Sequence, residues 1–316
     1  AREFIEELSG RCEAKDRKST TSYKFLRAVE NFSQIDRRIT VTSNNLDCNP
    51  MLLGTPAGTV DLCTGKLAAS DPANLITKCV STAPSDRSDC PRWLKFLNEA
   101  TNGDADLIRF LQQFVGYSLT GRVSEHALLF IYGPGGNGKS VFLNTVSAIL
   151  GDYCRTSAMD TFIASNNDRH PTDLAMLAGA RMVCASETEE GRSWAESRIK
   201  QLTGGDKIAA RFMRQDFFEF FPQFKMMIIG NHKPRLTNVT EAVRRRFNII
   251  PFIHTPKTID QDLEQNLRAE WPGILRWMID GCLDWQKNGL IRAQVVIDTT
   301  QEYFSEQDVV RRWADD

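Results

Sequence analysis

The chain has 316 residues, 41% hydrophobic and 25% charged, with a net charge of −1, which suits one large core or two ordinary ones and excludes a disordered or fibrous protein. Apolar runs such as 226–229 fall far short of the roughly 20 residues that span a bilayer, and the charged N-terminus is unlike a signal peptide, so an intracellular protein with no membrane partner is expected. Eight cysteines (Cys12, Cys48, Cys63, Cys79, Cys90, Cys154, Cys184, Cys282) form no CxxC pair and no zinc-like cluster with histidine, which argues against a disulfide scaffold or a metal knuckle.

The first 46 or so residues predict a helical lead-in, with Phe25, Leu26, Val29 and Phe32 at helical spacing. Short strands follow: 58–62 and 65–67 are hairpin-like, and Asp89-Cys90-Pro91 opens a helix carrying Trp93, Leu94, Phe96 and Leu97. A second helix over about 105–119 places Leu107, Ile108, Leu111, Phe114 and Val115 on one face. From Ala127 the pattern changes. Apolar runs of strand length at 127–132, 182–185, 225–229 and 247–252 alternate with helical stretches, the signature of a mostly parallel sheet covered by helices on both faces. The class is α/β, and the tail from about residue 259 is helical. The expected divisions are 1–120, 121–258 and 259–316.

After the strand 127–132 comes Gly133-Pro134-Gly135-Gly136-Asn137-Gly138-Lys139-Ser140, then a helical run from Val141. This is the full Gly-x4-Gly-Lys-Ser pattern between a strand and a helix. Its glycines let backbone N–H groups curl around phosphate, Lys139 supplies charge at the β- and γ-phosphates, and the Ser140 hydroxyl is a Mg²⁺ ligand. ATP and Mg²⁺ are the expected cofactors. The strand 181–185 then delivers Ser186-Glu187-Thr188-Glu189-Glu190, where one carboxylate is expected to hold the metal and another to polarise water, with Glu187 favoured for the metal and Glu189 for the base. The strand 225–229 ends at Gly230-Asn231-His232, where Asn231 could touch the γ-phosphate or the water, or simply form a turn. Between Arg198 and Arg246 eleven basic residues face four acidic ones, a local +7 that suits either a solvated face or a polyanion.

The order of these motifs resembles the superfamily 3 helicases, in the phage and plasmid primase-helicase branch related to the poxvirus primase-helicase. The resemblance includes Asn137 to Ser140, Asp173-Leu174-Ala175 with the lead 177–181, the segment 199–206 with Arg211, the strand from Phe224 to Asn231 with Pro234, and Arg245-Arg246 before Ile250-Pro251-Phe252. It extends over roughly residues 40 to 310. It implies an AAA+-like P-loop motor, preceded by a mainly helical domain, that forms a homo-hexameric ring, hydrolyses ATP and translocates on single-stranded or forked DNA during replication. A primase domain or an origin-binding protein is a possible partner in such systems, in the cytoplasm of a bacterial or virus-infected cell. The resemblance further implies a hairpin reaching into the ring channel, here about 207–221, with Lys207, Arg211, Phe212 and Arg214 as DNA contacts. Two strand-like arms, 207–210 and 217–221, flank its basic tip. Taken alone, Phe217, Phe218, Phe220 and Phe221 suggest a buried strand. The resemblance makes Arg245 or Arg246 a finger onto a neighbour's ATP, although Arg244 stands where the branch often has an aromatic residue, so the three arginines stay open. Relatives often carry flanking primase and winged-helix domains, so a piece of a longer protein is expected. Two rivals remain: a nucleotide-gated switch or scaffold without unwinding, and a small-molecule kinase.

Overall fold

The computed structural model describes residues 2–36, 40–42, 45–164, 172–187, 191–236, 240–256 and 260–307, in two compact units, Ala1–Cys48 and Asn49–Asp316. The first unit consists of α1 (Arg2–Arg11), α2 (Ala14–Thr20) and α3 (Tyr23–Ile35). The Ser22 side chain starts α3 by accepting from the Phe25 amide, the usual N-cap service to an otherwise unpaired donor. The expected helical spacing is present there, yet no residue of α3 is buried.

The second unit opens with an antiparallel meander of β1 (Leu52–Thr55), β2 (Gly58–Asp61) and β3 (Lys66–Ala68). Two helices follow, α4 (Pro91–Ala100) and α5 (Ala105–Ser118). Asp104 caps α5 by accepting from the Leu107 amide. The Glu270 carboxylate caps α4 from across the chain, accepting from the Arg92 and Trp93 amides.

The four apolar runs become strands of one parallel sheet: β4 (Leu128–Tyr132), β6 (Met182–Glu187), β9 (Lys225–Gly230) and β10 (Phe247–Pro251). A fifth strand, β5 (Cys154–Thr156), forms one edge and was not expected, because Cys-Arg-Thr is too short and polar to show a period. The spatial order is β10-β4-β9-β6-β5. The helices lie on both faces: α6 (Lys139–Leu150) with α5 and α11 (Trp271–Asn288) on one, and α8 (Glu196–Gly204) with α12 (Gln294–Gln307) on the other. Short helices α7 (Thr172–Ala175), α9 (Glu241–Arg244) and α10 (Leu263–Leu267), and a two-stranded ribbon of β7 (Ile208–Ala210) and β8 (Phe218–Phe220), complete the order. α12 closes the β10 edge, where the Thr300 hydroxyl accepts from the Ile249 amide at 3.0 Å, so an edge donor is not left open. Among the described residues no helix is long and apolar enough to cross a membrane.

Two buried cations fix the opposite end of the sheet. Arg181, leading into β6, donates to the carbonyls of Leu119, Asn49 and Leu52, with its guanidinium over the Tyr153 ring at 4.4 Å. Lys225, the first residue of β9, donates to the carbonyls of Thr120, Arg122 and Gln223 and lies 4.6 Å from the Tyr117 ring centroid. Burial, and secondarily Arg181, hold the Lys225 pKa well below that of an ordinary lysine. These bonds tie the turn after α5 to the strand starts and satisfy carbonyls that would otherwise be costly to bury.

α5 and α11 cross in backbone contact. A Cβ on Gly116 would overlap the Cys282 amide nitrogen, and one on Gly281 would overlap the Gln112 carbonyl oxygen. Alanine in place of an interior helical glycine ordinarily stabilises by roughly 0.5–1 kcal/mol. At Gly116 or Gly281 the sign is predicted to reverse, with a loss of about 1–3 kcal/mol from forced separation of the helices, measurable as a lowered urea midpoint at unchanged m.

Candidate nucleotide site and nucleic-acid interface

The parallel register brings four strand ends into one row. Pro251 is level with Tyr132, Tyr132 with Gly230, and Gly230 with Glu187. The loop 133–138 leaves β4 from this row and feeds the N-terminus of the twelve-residue α6, which directs its unpaired amides to the same edge. Gly135, Gly136 and Gly138 have φ of 110, 66 and 84°, values that side chains disfavour. A Cβ on Gly133 would overlap the Phe252 carbonyl, and one on Gly138 would lie 2.5 Å from the Phe96 ring.

The loop is held by its own residues. Lys139 Nζ donates to the Gly133 carbonyl at 2.7 Å and to Asn137 Oδ1 at 2.9 Å, and burial lowers its pKa. The Asn137 amide donates to the Phe252 carbonyl. The Gly133 amide donates to the Gly230 carbonyl at 3.3 Å, and the Phe252 amide to the Tyr132 carbonyl at 2.8 Å. Ser140 is exposed in the first turn of α6, Val141 half-buried behind it, and Pro134 exposed on the loop. A glycine-shaped concavity at a helix N-terminus, with a lysine folded onto the loop, fits a polyphosphate. The exposed Ser140 hydroxyl of this edge suits magnesium, and the backbone of β6 ends at Glu187 in the same row. Glu189 lies outside the described residues. Asn231, exposed, follows Gly230 immediately beyond the row.

The arginines lie at the other end of β10. Five residues at about 3.3 Å each put them roughly 15 Å from the row, too far for a side chain to reach this chain's own loop. The three differ. Arg246 is buried and donates from Nε to the Thr203 hydroxyl at 2.9 Å and from Nη1 to the Ala242 carbonyl at 2.5 Å. Arg244 lies 5.1 Å from the Phe304 ring. Arg245 is exposed, and its carbonyl accepts from Arg292.

The ribbon of β7 and β8 pairs Ile208 with Phe220 and Ala210 with Phe218, so both expected arms form. Its aromatics divide: Phe217 is 62% and Phe221 59% exposed, with Phe212 and Met213 also exposed, whereas Phe218 and Phe220 are half-buried and Phe220 packs against the core. The reason is local, since the ribbon's two strands are three residues each and cover little of their own surface. Phe212 stacks on Phe218 at 5.8 Å, and the Arg211 guanidinium lies 4.7 Å from the Phe217 centroid. Arg214 sits exposed at the tip with φ of 61°. Lys207 is paired with Glu219 at 3.0 Å, leaving Arg211 and Arg214 as the stronger cationic candidates. Lys225, counted in the local basic excess, is buried and cannot contact a polyanion.

Two contacts with the loop escape sequence reasoning. Helix α4 presses Phe96 onto Gly138 and stacks Trp93 on Phe142 of α6 at 5.5 Å. The segment 252–255 runs along the loop, with Thr255 3.9 Å from a Cβ built on Gly136. Its position, directly after a strand ending at the nucleotide edge, is the available signal.

Comparisons with known proteins agree with this architecture. A domain described as D5 N terminal like matches residues 1–102, and a family of unknown function, DUF5906, matches residues 131–246. The "Putative helicase L207/L206" of Acanthamoeba polyphaga mimivirus is 25% identical over 296 residues, covering 86% of this chain and 31% of the mimivirus protein. The "Putative helicase 121R" of Invertebrate iridescent virus 3 is 24% identical over 221 residues, covering 66% and 23% of the two chains. The chain thus spans a third or less of these relatives' length. The apo structure of the NrS-1 C-terminal region (305–718) superposes with a TM-score of 0.56 at 13% identity, covering 70% of this chain and 53% of that one, a likeness of fold. The chain is thus similar to viral proteins described as putative helicases, and its fold is similar to that of the NrS-1 C-terminal region.

Proposed function

We infer that the chain is the motor portion of an ATP-driven DNA helicase. The observation that carries this reading is the row of strand ends, which puts the Gly-rich loop, Glu187 and Asn231 at one edge of the sheet, with an exposed basic and aromatic ribbon inserted between β6 and β9. A small-molecule kinase has no use for such a ribbon.

In this reading the loop amides and Lys139 bind the β- and γ-phosphates, leaving the Gly133 and Asn137 oxygens to orient the ammonium. Ser140 and Glu187 would hold Mg²⁺, which supplies charge neutralisation on the phosphates when bound. Glu189 accepts a proton from the attacking water, and Asn231 orients that water. Arg211 and Arg214 neutralise phosphates of single-stranded DNA, while Phe212 and Phe217 offer faces for bases, a sequence-indifferent grip. A homo-hexameric ring gives the arginine end a place: the exposed Arg245 of one subunit reaches the neighbour's nucleotide as a permanently charged fork. Arg246 instead holds α9 and α8 together through Ala242 and Thr203.

Lys139→Ala is predicted to abolish ATP turnover with the fold intact, and Glu187→Gln to keep ATP binding while stopping DNA-stimulated hydrolysis. Steady-state ATPase assays with and without single-stranded DNA check both; near wild-type turnover in a folded Lys139→Ala protein rejects the nucleotide assignment.

The double variant Arg211→Ala/Arg214→Ala should weaken single-stranded DNA binding irrespective of sequence and flatten the salt slope by about 0.7 for each DNA phosphate that these arginines neutralise. Fluorescence anisotropy over a salt series reads both quantities, and an unchanged slope moves the DNA contact away from the ribbon.

Arg245→Ala should be folded and inactive alone, yet mixing it with Lys139→Ala subunits should restore part of the ATPase, because some interfaces then pair an intact loop with an intact arginine. Arg246→Ala should instead lower thermal stability. Recovery of nothing in rings that still assemble contradicts the action in trans.

A further inference from the structure

Beside the Gly-rich loop lies a cavity of about 280 Å³ lined by Thr101, Asn102, Gly103, Asp104, Leu107, Pro251, Ile253, His254 and Val295. Both of its walls are fixed to the loop. On one side, Ile253 and His254 are bracketed by Phe252, whose carbonyl accepts from Asn137, and by Thr255, which faces Gly136. On the other, the turn 101–104 continues from α4, whose Phe96 packs on Gly138.

The side of the loop matters. The strands β9 and β6, with Asn231 and Glu187 at their ends, lie on one side of β4, so the γ-phosphate and its water belong there. A nucleotide whose triphosphate follows the loop then directs its other end toward β10, where the cavity opens. Its volume, just under the usual range for ligand sites, suits a ring system and is too small for a polymer. Leu107, Pro251, Ile253 and Val295 are its apolar lining residues, and Ile253 is 52% exposed. Asn102 is presented at the rim by a tight turn, with φ of 54° followed by 77° at Gly103. Asp104 is occupied in capping α5.

We propose that this cavity receives the base of the nucleotide and that Asn102 selects adenine, with Ile253 and His254 against the ring. The side-chain amide offers one acceptor and one donor, which match the N6 amino group and N7 of adenine, whereas guanine presents two acceptors, O6 and N7, along the same edge. This inference rests on the loop reading above. It makes the turn between α4 and α5, outside the sheet, the element that sets nucleotide choice.

The test compares ATP, GTP and inorganic tripolyphosphate binding, with Mg²⁺, by calorimetry on the whole chain. Wild type is expected to bind ATP more tightly than GTP. Asn102→Ala should erase that preference, and Ile253→Asp should weaken both nucleotides by roughly tenfold, with tripolyphosphate affinity unchanged in each variant. Equal ATP and GTP affinities in wild type, a preference retained in Asn102→Ala, or parallel losses for tripolyphosphate overturn the proposal. Lys139→Ala separates the two readings: it should lose all three ligands, and if it binds them normally the loop assignment fails instead.

Discussion

Parallel strands end together only when their ladders share a register, and every feature of the candidate nucleotide edge depends on that condition. Tyr132, Gly230, Glu187 and Pro251 stand in one row because β4, β9, β6 and β10 pair without a slip. A shift of one residue would exchange the faces of a strand and carry its terminal residue about 3.3 Å out of the row. The register is defended at both ends. At the start of the strands, Arg181 and Lys225 clamp carbonyls of the turn after α5 and of β1; at their ends, amide to carbonyl bonds link Gly133 to Gly230 and Phe252 to Tyr132. The placement of β9 between β4 and β6 puts one strand between the Gly-rich loop and the end of β6.

The helical layer before the motor is part of the same body. Trp93 and Phe96 pack on the loop and its helix, Glu270 of the tail caps α4, and α5 meets α11 through two glycines. Residues 49–316 therefore share one hydrophobic framework, and a change at the loop is in direct contact with the helical layer.

The sequence shows most of the sheet because strands buried on both faces require unbroken apolar runs, and four of the five have them. The turn at 133–138 is equally legible, since Gly135, Gly136 and Gly138 take the positive φ values that other residues disfavour and a helix follows directly. Side-chain partnership is what the sequence hides. Lys225 and Arg246 look like members of a basic stretch, yet one is buried beneath carbonyls and the other is bonded to Thr203. Lys207 is paired with Glu219 at the surface. Conversely, four phenylalanines in five residues suggest a core strand, but a ribbon of three-residue strands cannot bury both of its faces. The edge strand β5 carries no periodic signal at all. Charge counts over a segment thus overstate the basic surface: Arg214, Arg235 and Arg245 are exposed and Arg211 is half-buried.

The central claim is that nucleotide turnover at the loop drives movement along a single strand held by the ribbon. It is tested most directly by strand displacement on a forked duplex, with the chain, ATP and Mg²⁺, followed by loss of energy transfer between dyes at the fork. The account predicts displacement that requires hydrolysable ATP and stops with a non-hydrolysable analogue. ATP hydrolysis stimulated by single-stranded DNA without any displacement of the fork would contradict it.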